Sequence, residues 1–397
     1  MKRRHFLNRG RALLATLFAS SAVSRAATDT TKIQGRPGSE YGTRSRFEKI
    51  KRFITAGRMP TEMASWTPLG DLHGVITPSA LHYERHHAGI PDIHPEDHRL
   101  LIHGLVDQSL VFSMDDLLRF PQVHRICFLE CSGNSYTEWR GPSGNSVQQS
   151  HGLTSCSNWA GVSLSTILQE AGLANEAKWV VAEGADGAAM TRSIPLEKCL
   201  DDVMLAYSQN GEALRPEQGY PLRLLVPGFE GSISVKWLRR LKVTAEPYYT
   251  REETSKYTDL LPDGKAREFT FTMEAKSVIT SPSPGHSLEQ GTYQQIRGLA
   301  WSGRGRVARV EVSVDGGSSW HEATLHGPVL PVCHTRFSFE WRWGGEITSI
   351  MSRCTDDTGY TQPTREALVA ARGTNSFYHY NAIQPWQVDQ NGTVTNA

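Results

Sequence analysis

The chain has 397 residues, which is long enough for two domains with hydrophobic cores of their own. Its 42 basic and 41 acidic residues nearly cancel, so it lacks the basic excess that is typical of nucleic-acid-binding proteins. Six scattered cysteines are too few for a disulfide scaffold, and no C-x-x-C-H motif is present for attachment of a c-type haem. We therefore expect a two-domain globular protein with no nucleic-acid partner and no haem in this chain.

The N-terminus has the features of an export signal. Two arginines, Arg3 and Arg4, precede Phe6-Leu7 and a modest apolar run, and small residues up to Ala27 offer a cleavage site. This pattern is typical of a Tat signal peptide, here residues 1–27, although a chance basic start is the alternative. The apolar run is far shorter than the roughly 20 residues that a membrane span needs, so we expect periplasmic export without a membrane span.

The next part of the chain is polar and then rich in histidine. Residues 28–70 have the composition of an irregular arm, in which Arg46–Phe53 could form one helix. Three histidines follow within six residues, His82, His86 and His87. The spacing of the first two would place them on one face of a helix, which raises a zinc site as a hypothesis, with ordinary surface histidines as the alternative. A zinc-protease H-E-x-x-H motif is absent from the sequence.

A buried strand leads to the residue around which the sequence is organised. Leu100–Val106 also has strand character, and Ser113 is placed to cap a short helix. The apolar run Ile126–Leu129 then stops at a Ser-Gly-Asn turn, which predicts Cys131 at the C-terminal end of a strand, where a loop opens. A thiolate at such an edge is a suitable ligand for a transition metal, and a buried free cysteine is the alternative.

The following segments alternate between loops, helices and strands. Glu138–Ser150 is either a rim of the site or a flexible loop. Trp159–Ala171 predicts a short helix, and Trp179–Ala182 predicts a strand that ends in a turn containing Asp186. Tyr220–Gly228 is an apolar strand that carries Arg223, whose charge must be paired or lie at an edge.

A domain boundary is expected near residues 263–268. Beyond it, Arg309–Val314 and Phe337–Trp343 alternate between apolar and polar residues, and Asp315-Gly316-Gly317 turns the chain between them. Short alternating strands with glycine turns predict a β-sandwich.

Two further expectations concern this C-terminal region. Cys333 and Cys354 could form a disulfide after export, although their spacing does not decide it. The tail after Trp386 is expected to be loose.

Phe128–Asn134 resembles the metal-binding segment of the sulfite oxidase family of molybdenum enzymes. The resemblance recurs at Arg85–His87, Gly219–Arg223 and Ser234–Trp237, and it covers most of the chain after Gly74. Within the family it is strongest to the molybdenum subunit of bacterial sulfane (sulfite) dehydrogenases of the Sox type. It implies an α+β protein: a mixed α/β molybdopterin-binding domain at residues 28–265, an immunoglobulin-like dimerisation domain at 266–385 and a tail at 386–397.

The resemblance also implies a cofactor of molybdenum and molybdopterin. Cys131 would bind the metal, and Arg85 and Tyr257 would hold the substrate, with Tyr248 and Tyr249 as nearby tyrosines that do not match. The residues that would contact the cofactor are Tyr83, Arg85, His86, His87, Cys131, Asp186, Gln218, Arg223, Ser234, Val235 and Lys236.

Four positions depart from the animal and plant pattern of the family. Ser135 and Tyr136 replace two arginines, Gln218 replaces a histidine, and Ile233 replaces an arginine. Because the substrate pocket loses positive charge, it suits sulfane sulfur on a protein thiol better than the typical pocket does.

The expected function is therefore periplasmic, molybdenum-dependent oxidation of sulfite or protein-bound sulfane sulfur. The sequence contains no dinucleotide-binding fingerprint and no iron–sulfur cysteine cluster, so the electrons are expected to pass to a c-type cytochrome subunit. The other implied partners are a second copy of the chain, through the C-terminal domain, and a sulfur-carrier protein as substrate. The alternatives are a reductase on the same fold and an exported, non-enzymatic β-sandwich binding protein.

Overall fold

The computed structural model describes residues 33–57 and 61–396, so the predicted signal peptide at 1–27 lies outside the described residues. The chain divides into a unit of residues 1–49 and a unit of residues 50–397. The described part of the first unit, residues 33–49, contains neither helix nor strand. The predicted helix over Arg46–Phe53 is wrong, because Arg46 lies in a turn and Phe53 begins a strand, where its ring packs 5.4 Å from that of Trp66.

The first part of the larger unit combines short helices with three main sheets. Its strands are β1 (Phe53–Ala56), β2 (Met63–Trp66), β3 (Glu84–His86), β4 (Leu100–Gly104), β5 (Leu110–Phe112), β6 (Gln122–Glu130), β7 (Thr154–Ser163), β8 (Trp179–Gly184), β9 (Thr191–Pro195), β10 (Met204–Gln209), β11 (Glu212–Ala213), β12 (Arg223–Leu225), β13 (Leu238–Thr244), β14 (Asp259–Leu260) and β15 (Ala266–Arg267). Its α-helices are α1 (Met114–Leu117), α2 (Val147–His151), α3 (Leu164–Ala171), α4 (Leu196–Asp201) and α5 (Arg251–Thr254). Short 3₁₀ helices cover Ser79–Leu81, Tyr136–Arg140 and Pro216–Gln218.

Strands β3, β6 and β12 each contribute residues to the wall of one cavity. The first sheet has the order β1-β2-β3, and the second has the order β11-β10-β7-β6, with β12 also paired to β10. The third has the order β5-β4-β13-β8-β9, in which β4 and β13 run parallel and the other pairs run antiparallel. One core lies between α3 and these strands and includes Leu168, Val180 and Leu241. A second core, with Trp159, Cys127 and Leu129, lies beside the end of β6.

The C-terminal part is a β-sandwich, as predicted. Its strands are β16 (Lys276–Ser281), β17 (Tyr293–Trp301), β18 (Val307–Ser313), β19 (His321–Glu322), β20 (Thr324–His326), β21 (Thr335–Arg342), β22 (Thr348–Asp356), β23 (Trp386–Val388) and β24 (Val394–Thr395). One helix, α6 (Arg365–Arg372), lies between β22 and β23 in the chain. The two sheets have the orders β16-β17-β21-β20 and β19-β18-β22-β23-β24. Alternating apolar side chains such as Ile296 and Val310 fill the core. The predicted α+β class is therefore confirmed.

Three local expectations fail for tertiary reasons. Trp159 belongs to β7 and not to a helix, since the helix begins only at Leu164. The tail after Trp386 is not loose, because β23 pairs with β22 and Trp386 is buried. Cys333 has its sulfur beside that of Cys156 and not beside that of Cys354, and all of these cysteines are free thiols.

No helix in the described ranges is both long enough and apolar enough to cross a membrane.

Candidate active site

Strand β6 delivers Cys131 to the site, as the sequence predicted. The backbone N–H of Cys131 donates to Leu153 O at 2.9 Å, so the strand pairing with β7 continues to this residue. Asn134 N then donates to Cys131 O at 2.8 Å and closes the turn. Burial raises the pKa of the Cys131 thiol, although a bond from the Gly133 backbone opposes the effect. A thiolate at this position therefore needs a positive partner such as a metal ion.

A buried carboxylate beneath the turn ties Cys131 to the C-terminal domain. Asn134 accepts from Leu153 N at 3.1 Å and donates to Glu130 Oε1 at 2.9 Å. The same Glu130 oxygen accepts from Lys276 Nζ at 3.1 Å, and its other oxygen accepts from Trp301 Nε1 at 2.6 Å. Because Glu130, Lys276 and Trp301 are all fully buried, this network fixes the cysteine turn rigidly.

Cys131 opens into a cavity of about 670 Å³, including the part open to solvent, which we call the inner cavity. Every residue that the sequence resemblance assigned to the site lines it: Tyr83, Arg85, His86, His87, Cys131, Asp186, Gln218, Arg223, Ser234, Val235, Lys236 and Tyr257. Residues that the resemblance did not assign to the site complete its wall: His82, Glu84, Leu129, Met190, Gly231, Ser232 and Trp237. Tyr248 and Tyr249 are exposed and do not line the cavity.

Two cations, the buried Arg223 and the half-buried Lys236, face the inner cavity without a carboxylate partner in the described ranges. Arg223 donates only to backbone and amide oxygens, including Gln218 O and Ser234 O, each at 3.0 Å. Lys236 donates to Glu217 O at 3.1 Å and to His86 Nδ1 at 2.8 Å. Burial lowers the pKa of Arg223 to about 10 and lowers that of Lys236 well below its usual value, with the charge of Arg223 adding to the second shift. Both charges would be stabilised by an anion in the cavity.

The histidines of the site are neutral at neutral pH. Burial lowers the pKa of His82 and of His86 to about 3 and that of His87 to about 4, and nearby cations add to all three shifts. Since Lys236 donates to His86 Nδ1, the other ring nitrogen carries the proton and donates to Glu84 Oε2 at 2.9 Å. Neutral histidines leave the cations as the source of positive charge in the inner cavity.

The zinc hypothesis for these histidines is not supported. They lie in and beside strand β3 and not on a helix, and His82 bonds to Tyr83 O while His87 bonds to Tyr257 Oη. The described part of the chain contains no group of three or more His, Cys, Asp or Glu side chains that could hold a metal ion. His82 and His86 are also buried, which excludes the alternative of ordinary surface histidines for them.

Unsatisfied polar atoms in the wall fit a polar, anionic ligand. His82 Nε2 and Arg223 Nε are buried, and neither has a hydrogen-bond partner among the described residues. Buried nitrogen atoms without partners are rare in folded proteins, because each costs the free energy of its lost hydration. A ligand with hydrogen-bonding atoms and negative charge would satisfy them, and the thiol of Cys131 would face the same ligand.

Tyr257 lies at the outer side of the inner cavity and is held in place from three sides. Its hydroxyl oxygen is 2.9 Å from His87 Nε2, its ring is 5.1 Å from that of Tyr378, and the guanidinium of Arg192 lies 5.0 Å from its centre. Its φ of 55° is unusual for a residue other than glycine and indicates that the surroundings impose this conformation. Burial raises the pKa of Tyr257, so its hydroxyl stays protonated.

Arg192 belongs to a buried charge network that reaches the cysteine turn. Its guanidinium donates to Glu230 Oε1 at 2.5 Å, and Glu230 Oε2 is 3.2 Å from His379 Nε2. The backbone N–H of His379 in turn donates to Ser132 O at 2.7 Å. Burial acts against ionisation of Glu230, but Arg192 and His379 outweigh it and lower its pKa to about 2. The network joins Tyr257, the C-terminal segment and the cysteine turn.

A second cavity, the outer cavity, adjoins the first through Arg85, His87, Cys131 and Tyr257. It encloses about 940 Å³, including the part open to solvent. Its lining residues are Thr55, Gly57, Glu62, Met63, Ala64, Trp66, Arg85, His87, Cys131, Gly133, Tyr136, Leu153, Lys256, Tyr257, Phe377 and Tyr378. Its position makes it the route by which a substrate would reach Cys131.

Half of the residues that line the outer cavity are aromatic or aliphatic, and Glu62, Arg85 and Lys256 add charged groups. The rings of Tyr136 and Phe377 stack with centroids 4.6 Å apart, and these side chains remain 41% and 45% exposed at the opening. Phe377 and Tyr378 are fixed by their backbone N–H groups, which donate to Asp259 Oδ1 at 2.8 and 3.3 Å. The C-terminal segment therefore forms one wall of the route to Cys131.

The charge of Arg85 in the outer cavity is partly neutralised. Its guanidinium donates to Glu62 Oε1 at 2.7 Å and to the backbone oxygen of His86. The resemblance had assigned Arg85 to the substrate and gave no indication of Glu62. Glu62 was missed because it lies 23 residues earlier in the chain and reaches Arg85 only through the pairing of β2 with β3.

Arg192 and Phe377 were also missed. An arginine inside the strand-like run Thr191–Pro195 is a signal that a buried partner must exist, but the sequence does not identify the partner. Phe377 carries no sequence signal, since it follows α6 in the C-terminal region and reaches the outer cavity only by tertiary packing.

Residues 87–252 match the family described as the oxidoreductase molybdopterin binding domain, and residues 267–385 match the Mo-co oxidoreductase dimerisation domain. The chain is 46% identical to one chain of the crystal structure of the sulfane dehydrogenase SoxCD from Paracoccus pantotrophus. The two align with a TM-score of 0.88 over 92% of this chain and 97% of that one.

Two curated relatives are more distant. Mitochondrial sulfite oxidase from Rattus norvegicus is 36% identical over 327 residues, which cover 74% of this chain and 58% of the relative. An NADH nitrate reductase from Phaseolus vulgaris is 35% identical over 310 residues, which cover 68% of this chain and 34% of the relative. This chain thus spans little more than half of the first relative and about a third of the second.

Both domain matches follow each other along one chain whose fold agrees with that of a solved relative over nearly its whole length. Residues of the first matched domain, among them Cys131, Arg223 and Lys236, converge on the inner cavity. The chain therefore belongs to the sulfite oxidase family of molybdopterin-binding oxidoreductases.

Proposed function

We propose that this chain is the molybdenum subunit of an exported dehydrogenase that oxidises sulfane sulfur on a carrier protein, or sulfite, and passes the electrons to a c-type cytochrome. The observation that carries the proposal is the inner cavity, where the thiol of Cys131 and two cations without a carboxylate partner among the described residues face the same space. The 46% identity to a chain of the sulfane dehydrogenase SoxCD supports this choice within the family.

The inner cavity suits a molybdopterin cofactor. Cys131 would bind the metal, and Arg223 and Lys236 would offset the negative charge of the phosphate and the sulfur ligands. The unpartnered nitrogen of His82 offers an acceptor to a polar ring. When bound, the cofactor supplies oxygen-atom transfer to sulfur and accepts two electrons.

The residues at the junction of the two cavities would hold the substrate. Arg85 offers charged donors and Tyr257 offers a neutral hydroxyl, which His87 and Arg192 keep in one orientation. The rings of Tyr136, Phe377 and Tyr378 would exclude water from the reacting sulfur.

The outer cavity favours sulfane sulfur over free sulfite. Sulfite is a small anion, and Glu62 competes with it for the guanidinium of Arg85. Tyr136, which stands where many family members have arginine, adds a stacked aromatic surface instead of charge. A cavity of this size with aromatic rings at its opening suits a sulfur atom carried on an uncharged peptide segment, such as the cysteine of a carrier protein.

The test is a side-by-side turnover assay of the purified enzyme with free sulfite and with a carrier protein that bears a persulfide on cysteine. Cytochrome c is the acceptor in both arms, and the unloaded carrier is the control. We expect a higher kcat/KM for the loaded carrier. Equal or higher kcat/KM for sulfite would overturn the choice of substrate, and failure of both substrates would overturn the proposed function.

The electron acceptor and the location are tested separately. We expect slow turnover of the isolated chain with cytochrome acceptors and a large gain when its own cytochrome subunit is added. Full turnover of the isolated chain with oxygen would contradict this. For export, a variant with Arg3→Lys and Arg4→Lys should accumulate in the cytoplasm, while the native chain fractionates with the periplasm.

A reductase remains the second candidate, because the family relatives include nitrate reductases. Reduced viologen as electron donor, with nitrate or an oxidised sulfur compound as acceptor, distinguishes the two directions. Faster reduction than oxidation under matched conditions would favour the reductase.

A further inference from the structure

Two buried cysteines meet where the molybdopterin-binding domain contacts the β-sandwich. The sulfur atoms of Cys156 and Cys333 are 3.4 Å apart, although the residues are 177 positions apart in sequence. Cys156 lies in β7, and Cys333 lies in the connection between β20 and β21. Both side chains are essentially inaccessible to solvent. The pair therefore bridges two parts of the chain that are otherwise held together by non-covalent contacts.

The backbone on both sides of the pair holds the two sulfur atoms together. Cys156 lies opposite Phe128 in the β6–β7 ladder, and Phe128 N donates to Val332 O at 2.9 Å. Val332 N donates in turn to Gly305 O at 2.8 Å. Val332 has a φ of 46°, which is rare for a β-branched residue and persists only where surrounding contacts impose it. This conformation directs the next residue, Cys333, toward Cys156.

We propose that Cys156 and Cys333 form a disulfide that joins the two domains when the chain meets a disulfide oxidant, such as oxidised glutathione or an exported thiol oxidase. The thiolate of one cysteine attacks the oxidant and forms a mixed disulfide, which the second cysteine then resolves. One sulfur–sulfur bond forms in the protein and one breaks in the oxidant. The two electrons go to the oxidant, which leaves as two thiols with both protons. The proposal does not depend on the substrate of the enzyme.

Cys333 is the cysteine that an oxidant would reach first. The bond from the Cys156 thiol lowers the pKa of Cys333, whereas burial raises the pKa of Cys156. The residues from Gly327 to Pro331 are at the surface or partly exposed, so local opening of this connection would uncover Cys333. Such a bond would form in an oxidising compartment and would be reversed by strong reductants.

The experiment is thiol mapping on the full-length holoenzyme. The protein is equilibrated with mixtures of reduced and oxidised glutathione, in denaturant below the unfolding transition so that the connection can open, and is then quenched with acid. The protein is then unfolded in the presence of an alkylating agent, which marks the free thiols, and digested without reduction. Mass spectrometry identifies the alkylated and the cross-linked peptides. Cys199 and Cys354 are equally buried in the same chain and serve as internal controls for access.

We expect one reducible cross-linked peptide that contains Cys156 and Cys333, with Cys199 and Cys354 alkylated. Oxidation should raise Tm by roughly 5 °C, because the bond closes a long loop. Cys333→Ala should lose both the cross-link and the rise in Tm, whereas Cys354→Ala should keep both. Alkylation of Cys156 and Cys333 to the same extent as Cys199 would overturn the proposal, as would a cross-link between any other pair.

Discussion

The inner and outer cavities share Cys131 but are built in different ways. The inner cavity carries the cations Arg223 and Lys236, which donate to backbone oxygens and to a neutral histidine and, among the described residues, to no carboxylate. The outer cavity has aromatic rings at its opening, its cation Arg85 is paired with Glu62, and Lys256 adds an exposed charge. The inner cavity therefore offers the charges of Arg223 and Lys236 to a ligand that stays bound, whereas the outer cavity offers an Arg85 that is paired with Glu62 and an exposed Lys256.

The difference shows how one site can separate cofactor binding from substrate choice. Strand ends and their turns supply much of the inner cavity, where Arg223 and Lys236 are held by backbone oxygens. The outer cavity depends on Tyr136 and on the C-terminal segment with Phe377, which Asp259 holds. Substitutions in the outer cavity should therefore change the substrate without removing the cofactor, and each prediction below tests this separation.

The largest effect is expected at Cys131, which both cavities share. Cys131→Ser should abolish turnover while the fold persists, because a hydroxyl is a harder and far less acidic ligand than a thiol. The loss should exceed the roughly 10–100-fold effect of removing a group that only orients a metal ligand. Turnover with sulfite and the far-ultraviolet circular dichroism spectrum check this. Cys199→Ser, also buried but remote from the cavities, is the control, and wild-type activity of Cys131→Ser would refute the metal-ligand role.

Lys236→Met should weaken cofactor binding in the inner cavity and leave the outer cavity unchanged. A charge-assisted hydrogen bond contributes about 1.5–3 kcal/mol, so we expect cofactor affinity to fall by roughly 10–100-fold. The metal content of the purified protein and the fluorescence of the released pterin measure the loss. Lys265→Met removes an exposed lysine and should leave the cofactor content unchanged. Full cofactor content in Lys236→Met would remove this residue from the cofactor site.

Arg85→Gln tests the junction of the two cavities. KM should rise strongly and kcat should fall less, with a loss in kcat/KM of roughly 10–100-fold, because a charged donor to the substrate is lost. Steady-state kinetics with sulfite and with the loaded carrier provide the measurement, and cofactor content is measured in parallel so that kcat refers to loaded enzyme. Arg304→Gln, at an exposed ion pair with Glu274, is the matched control. Unchanged kcat/KM for both substrates would exclude Arg85 from substrate binding.

Tyr136→Arg should sharpen the comparison by adding charge to the outer cavity. The new cation should favour sulfite over the loaded carrier by about fivefold, since a partly exposed charge contributes on the order of 1 kcal/mol. The ratio of the two kcat/KM values is the readout. Phe377→Ala disrupts the same ring stack without adding charge and should not favour sulfite. If both variants shift the ratio alike, the loss of stacking and not the charge is responsible.

The smallest effect concerns pH and belongs to the inner cavity. His82 and His86 have pKa values lowered by burial to about 3, and His87 to about 4, against about 6.5 in the unfolded chain. The unfolded state therefore binds more protons between pH 6.5 and 4, so stability is full above pH 6.5 and is lost as the pH falls through this window. Thermal unfolding from pH 7.5 to 4.5 should show the decline. The decline should be weaker in His82→Gln, and a Tm that is independent of pH would contradict the neutral assignment.

Much of the fold and of the inner cavity could be predicted from the sequence, because the signals are local. The run before Cys131 has the length and polarity of a strand, the alternation in Arg309–Val314 has the period of a sheet, and both occur as predicted. The family pattern placed its residues on strands and turns that converge in the inner cavity. Such features depend on backbone geometry and on neighbours a few residues away.

The rest was decided by tertiary structure, because it depends on contacts between distant segments. Nothing near Arg85 in sequence indicates Glu62, nothing near Tyr136 indicates Phe377, and nothing near Cys333 indicates Cys156. The alternation in the last residues could not show that β22 would pair with β23 and bury Trp386. These pairs form only when separate strands and domains pack against each other. The hydrophobic burial that favours this packing is non-directional, so a local sequence pattern does not show which distant residue will be the partner.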